Sequence, residues 1–225
     1  MEPLLTPSPV SIFIGQVRPM PGSGRPTALL KSAASLPIAL GPEGFVGDQQ
    51  ADRSVHGGPE KAVHCFPVEH YSRLADRFPE ATPQLLPGSI GENLSAAGFS
   101  EGDVCLGDVF ALGETRLQIS QPRSPCWKID ARYCLEGMAA FIAAEGIAGW
   151  YARVLVPGTV RAGDGLQLVE RDASAPTLAE ALSCLRLHRP PVASLATIAA
   201  AKGIAASWRR KILDRMAWLR ANPGR

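Results

Sequence analysis

The chain is first defined by what it lacks. Its five cysteines, Cys65, Cys105, Cys126, Cys134 and Cys184, include no CxxC pair, which disfavours iron–sulfur and zinc-ribbon sites. Neither GxxxxGK[ST] nor a clear GxGxxG occurs, so no Walker loop or dinucleotide-binding turn is indicated. No apolar run approaches the length of a membrane-spanning helix. The opening segment 1–7 has no basic stretch followed by an apolar one, so no secretory signal is expected. Charge of one sign is also lacking: 23 basic and 21 acidic residues leave a net charge of +2. That balance does not indicate general nucleic-acid binding. An odd number of scattered cysteines, in a chain too long to need disulfide staples, points to a reducing cytoplasm.

What is present reads as a globular chain. Of 225 residues, 46% are hydrophobic and 20% charged, enough for a substantial core in one medium domain with a small appendage. Short period-2 runs dominate the first two-thirds. Val10, Ile12 and Ile14 alternate with Ser11 and Phe13. Leu117 and Ile119 alternate with Arg116, Gln118 and Ser120, and Leu166 and Leu168 flank Gln167. The stretch 104–112 is mostly apolar, and Gly- and Pro-bearing turns separate these runs. The pattern predicts a mainly β fold, a barrel or sandwich, interrupted by a few helices. Val68, Tyr71, Leu74, Ala75 and Phe78 form a helical stripe after Pro67, and a second helix is expected over about 135–144. Past the small polar segment 172–176, three helical stretches follow. The first carries Leu178, Ala181, Leu182 and Leu185, the second covers about 192–201, and the third covers about 207–219 with Ser207 as N-cap. The expected division is therefore 1–171 for the β domain and 172–225 for a three-helix unit.

Chemistry concentrates in three loops. Cys126 lies in the segment 120–128, between Pro122 and Pro125 on one side and Trp127 and Lys128 on the other, with Arg123 nearby. Cations beside a thiol favour the thiolate, which serves as nucleophile, redox centre or soft-metal ligand. The other four cysteines read as small buried hydrophobes. A nucleophilic cysteine needs a histidine base, but no protease-like signature surrounds Cys126. His56, His64, Cys65 and His70 cluster without the usual zinc-ligand spacing, and His64 reads as a hydrogen-bonded structural histidine if its segment is a core strand. The segment 52–61 joins the Gly57-Gly58 turn to Arg53, His56 and Lys61, a backbone arrangement able to approach an anion; a solvated turn is the plainer alternative. The loop 87–94 adds Asn93, which could bind a polar heterocycle or phosphate. The segment 196–211 has a weak helix-turn-helix likeness, which the near-neutral chain does not support as a DNA-binding element.

Together these patches resemble the MOSC family, named for the molybdenum cofactor sulfurase C-terminal domain. The resemblance runs in order through 44–53, 55–64, 67–71, 87–94, Gly107-Asp108 and 121–128. It suits the bacterial subgroup linked to 6-hydroxylaminopurine resistance, which also carries a C-terminal three-helix unit. The resemblance implies a β-barrel that binds molybdopterin-bound molybdenum, with Cys126 as the metal ligand and catalytic residue. It implies a cofactor phosphate held by Lys61, Arg123, His56 and the Gly57-Gly58 turn, with Lys31 similar to an early family lysine in the same role. Arg53, Asn93 and Ser120 complete the expected cofactor-binding set. The implied activity is reduction of small N-hydroxylated compounds to amines, with electrons from a separate reductase, expected to be a flavoprotein. The alternative is a cofactor carrier or a sulfur relay through a Cys126 persulfide. No membrane or nucleic-acid partner is expected. The C-terminal helices are expected to pack on the barrel, form a homodimer contact or dock the electron donor.

Overall fold

In the computed structural model, which describes residues 5–53 and 55–223, the alternating runs become strands and most join one sheet. Part of the opening segment that bears on a secretory signal lies outside the described residues. In chain order the first strands are β1 (Ser8–Pro9), β2 (Ser11–Ile14), β3 (Arg18–Pro19), β4 (Pro26–Thr27), β5 (Ser32–Ala33), β6 (Ile38–Gly41) and β7 (Gly44–Phe45). After these come β8 (Val63–Pro67), helix α1 (Glu69–Arg77), β9 (Leu94–Ala96), β10 (Val109–Leu112) and β11 (Thr115–Pro122). Helices α2 (Lys128–Tyr133) and α3 (Met138–Glu145) precede β12 (Trp150–Val156), β13 (Gly158–Val160) and β14 (Gly165–Glu170). Helices α4 (Leu178–Arg186), α5 (Val192–Ala200) and α6 (Ala206–Ala221) end the fold.

Nine strands pair in the order β1-β14-β10-β11-β12-β8-β9-β2-β5, and β13-β6-β7 and β3-β4 form smaller sheets. The expected barrel needs correcting here: among the described residues no ladder between the end strands closes the large sheet into a ring. Its two ends meet only along one run of chain. Ser8 pairs with Leu166 of β14, whereas Ser11 pairs with Ser95 of β9. Val10 sits between them and donates its N–H to Asp164 O at 3.0 Å. The run switches partners at that point, so backbone groups at the seam are satisfied without a continuous ladder.

β8 is buried at all five positions and lies parallel to β9 and antiparallel to β12. A strand covered on both faces loses the alternation that marks a half-buried one. β11 pairs Ile119 with Ala152 and then Gln121 with Tyr151, leaving Ser120 in a bulge. A bulge re-aims the local backbone and side chain, and Ser120 O accepts the N–H of Ala205, just before α6, at 2.9 Å.

Helix α1 follows the expected stripe, burying Tyr71 and Leu74. Helix α3 begins later than expected, at Met138. α2 has no counterpart among the expected helices: at 6 residues it is too short to show periodicity. Ser207 is not the N-cap of α6, which begins one residue earlier, after Ala205. The thiols divide as well. Cys65 and Cys105 are buried and Cys184 is intermediate, but Cys134 is exposed. It closes α2 in the left-handed region at φ 53°.

Candidate functional site

The residues before β5, the loop after β7, the turn before β8, the loop entering β9 and the exit of β11 converge on one cleft. Of the expected site residues, Lys31, His56, Gly57, Lys61, Asn93, Arg123 and Cys126 line it. Arg53, Gly58 and Ser120 are not in its wall. The Arg53 side chain is 67% exposed and pairs with Glu43 at 2.5 Å. Gly58 lies one step behind the lining, with φ 82°. Ser120 is buried, and its Oγ lies 2.5 Å from Glu60 O and 3.0 Å from Tyr151 O. Sequence reasoning missed several lining residues, among them Asp48, Gln50, His64, Lys128 and Tyr151. Asp48 stood inside one of the motifs and Lys128 beside the cysteine, but nothing local tells a lining carboxylate from a loop one.

Asp48 organises one wall. Its carboxylate accepts from the Gly15 N–H at 2.7 Å, from Lys31 Nζ at 2.5 Å and from Asn93 Nδ2 at 2.9 Å. Asn93 Nδ2 also reaches Phe13 O at 3.2 Å, and its Oδ1 accepts from the His64 N–H at 3.1 Å. Asn93 therefore joins the loop entering β9 to β2 and β8. Lys31 and Asp48 have only 6% and 3% of their side chains exposed. Burial pushes the Lys31 ammonium below its ordinary value, and the adjacent Asp48 charge opposes that shift. Gly57 has φ 80°, and a Cβ there would lie 2.8 Å from Gln50 Oε1. A side chain at Gly57 would be strained by that conformation and would also require the Gln50 side chain to shift.

The rest of the wall is positive. Arg123 is buried, its Nη2 reaches Ile90 O at 3.4 Å, and its Nη1 has no hydrogen-bond partner among the described residues. A buried guanidinium with an unused donor is costly unless something anionic meets it. Lys61 Nζ donates to Val55 O at 2.6 Å and Lys128 Nζ to Pro26 O at 3.0 Å. Among the described residues neither these lysines nor Arg123 forms an ion pair. Burial lowers the His56 pKa below its ordinary value, and the Arg123, Lys128 and Lys61 charges lower it further. Burial, followed by Arg123, pushes His64 well below its ordinary value. His64 is the structural histidine anticipated for a core strand, with Nε2 3.1 Å from Ala148 O, but it also faces the cleft.

Cys126 reaches this cationic wall from the loop between β11 and α2, half-buried. Its neighbour Trp127 is exposed, with the Arg25 guanidinium 5.1 Å from the ring centroid. Among the described residues no group of three or more His, Cys, Asp or Glu side chains is placed to hold a metal ion. The donor set therefore offers one thiol and an anion cradle rather than a protein-only metal cage.

A family model described as the MOSC domain matches residues 52–167. The protein YiiM of Escherichia coli (strain K12) is 36% identical over 208 residues, 92% of each chain. The chain belongs to the MOSC domain family. Within it, the chain belongs to the subgroup that includes YiiM, as the solved structures also indicate. The crystal structure of Escherichia coli YiiM aligns with a TM-score of 0.79 at 30% identity, covering 95% of this chain and 94% of that one. A protein of Gibberella moniliformis (strain M3125 / FGSC 7600) named a reductase is 35% identical over 146 residues, 64% of this chain but 26% of that protein. Membership in the MOSC family is consistent with molybdenum-cofactor binding, and the fungal relative's name is consistent with oxidoreductase chemistry. No helix among the described residues is long and apolar enough to cross a membrane.

Proposed function

We propose that this MOSC protein holds a pterin-based molybdenum cofactor in the cleft and reduces small N-hydroxylated compounds, such as hydroxylaminopurines, to amines. The observation that carries this reading is that Cys126 lines one cationic cleft with the buried Arg123, whose Nη1 has no hydrogen-bond partner among the described residues. A soft thiol beside an anion cradle fits a phosphorylated cofactor that brings its own sulfur-bound metal. When bound, that cofactor supplies a metal centre able to pass two electrons to an N–O bond.

The chain's own residues do the rest. Cys126 would donate its thiolate to the metal. Arg123, Lys61 and His56, with the Gly57-Gly58 turn, would hold the phosphate. Lys31 is engaged by Asp48, so its part is to brace the wall and add positive charge rather than to grip phosphate alone. Conversion of a hydroxylamine to an amine and water also consumes two protons. Lys31, which donates from Nζ to Asp48, would hold a proton in the cleft wall. Electrons would come from a separate reductase, for which a flavoprotein is the simplest class, in the cytoplasm.

The direct test is amine formation from 6-hydroxylaminopurine by cofactor-loaded protein with a chemically reduced flavoprotein donor. Cys126→Ala is expected to abolish turnover while leaving thermal unfolding unchanged within a few degrees. Turnover by Cys126→Ala at the wild-type rate would remove Cys126 from the mechanism. Sulfane sulfur on Cys126 in active-site preparations that lack molybdenum would favour the sulfur-relay alternative.

A further inference from the structure

Helix α6 begins far in sequence from the cleft, yet its first amide is bound beside it. The Ala206 N–H donates to both oxygens of Glu60, at 2.9 and 3.1 Å, across 146 residues. Glu60 also pairs with Arg153 Nη2 at 3.2 Å. Arg153 Nη1 in turn donates to Gln118 Oε1 at 3.0 Å. The backbone of the same residue is held too: Ser120 Oγ lies 2.5 Å from Glu60 O, while Ser120 O receives the Ala205 N–H. Glu60 occupies the short turn Pro59–Lys61, and the next residue, Lys61, lines the cleft.

From these contacts we infer that Glu60 is a positioning residue for the anion-binding loop 56–61, and that the start of α6 is the anchor against which it is set. The start of α6 thereby supports the proposed cofactor site from behind the loop, without lining the cleft. The inference rests on the proposed reading of the cleft as a cofactor-phosphate site. Its physical basis is separate: a carboxylate on a helix N-terminus satisfies amides that the helix leaves unpaired and meets its positive end. A loop so anchored presents Lys61 in one place, so less ordering remains when an anion binds. Ser120, expected in the cleft wall, acts in this arrangement from behind the loop.

The test uses the full-length chain as wild type, Glu60→Ala, Glu60→Gln, Lys61→Ala and the Glu60→Ala/Lys61→Ala double variant. Amide hydrogen exchange, read on cofactor-free protein, is expected to speed up in residues 56–61 of Glu60→Ala, with β8 and β11 unchanged. Pterin content after expression in a cofactor-competent host is expected to fall by roughly 10-fold in Glu60→Ala, as for other groups that orient a ligand. It is expected to fall less in Glu60→Gln, which keeps an oxygen for the Ala206 amide. The double variant is expected to retain no less pterin than Lys61→Ala alone, because both changes act through one side chain. Unchanged exchange in residues 56–61, or additive losses in the double variant, would overturn the inference. If wild type carries no pterin, the proposed function fails, and the exchange measurement alone still decides the role of Glu60.

Discussion

At the scale of single residues, the cleft is a contest between burial and charge. Lys31 and Asp48 are nearly inaccessible and satisfy each other. Removing one member of such a pair leaves the other buried without its counter-ion, at a cost of roughly 3 kcal/mol or more. Lys31→Ala should therefore lower stability in urea unfolding by about that amount, and Lys31→Ala/Asp48→Ala by less than the two single losses added. Equal losses in the single and additive double variants would mean that the pair is not coupled. His64 supplies a pH dependence. Burial keeps it neutral when folded, so its folded pKa lies below the unfolded value near 6.5. The unfolded chain then binds a proton in the window between those two values. Stability is complete above about pH 6.5 and declines as pH falls towards the folded value, by up to about 1.4 kcal/mol per pH unit. His64→Gln should flatten the thermal-stability profile below about pH 6.5, and an identical profile would discard this source. The structural part of His64 was legible in the sequence, but the pairing of Lys31 with Asp48 was not. Charge and motif had singled out Cys126, His56, Lys61 and Arg123, and all four line the cleft. The partners of Lys31 and His64 depend on chain 17 and 84 residues away, respectively.

At the scale of elements, legibility followed burial pattern. β11 and β14 showed themselves by alternation because one face of each is less buried. β8 carried no such signal because both of its faces are covered. The start of α6 illustrates a different limit. Local propensity nominated Ser207, but the carboxylate of Glu60 serves the first amide, and tertiary caps leave no local trace. Turns behave likewise. Gly107 has φ 85°, and a Cβ there would lie 2.0 Å from Lys202 O in the α5–α6 connection. Gly107→Ala should destabilise the fold by on the order of 2 kcal/mol through conformation and contact together. A shift in the urea midpoint reports it, and a loss no larger than that of an exposed Gly→Ala change would contradict the close approach.

At the scale of the whole molecule, sheet and C-terminal helices share one apolar core. Phe110, Leu117, Ile119 and Trp150 belong to the same buried cluster as Leu178, Leu195, Ile198 and Ile212. The backbone is joined as well: Leu106 N–H donates to Pro176 O at 3.1 Å and Leu178 N–H to Val104 O at 3.0 Å. We propose that the polar segment at 172–176 divides the sequence into two units that fold against each other. Composition could show that division but not the contacts across it. Of the stretches that carried the family resemblance, 44–53, 55–64, 87–94 and 121–128 reach the cleft, whereas 67–71 and Gly107-Asp108 do not. The open seam at Val10 was not foreseeable from alternation, which fixes faces but not partners. The central claim is that Cys126 and the cationic wall hold a molybdenum cofactor. Its most direct test is molybdenum and pterin content of protein purified from a cofactor-competent host, in wild type and Cys126→Ala. Wild type is expected to carry molybdenum and pterin in equal amounts, and Cys126→Ala strongly reduced molybdenum. Absence of both from wild type, or undiminished molybdenum in the variant, would contradict it.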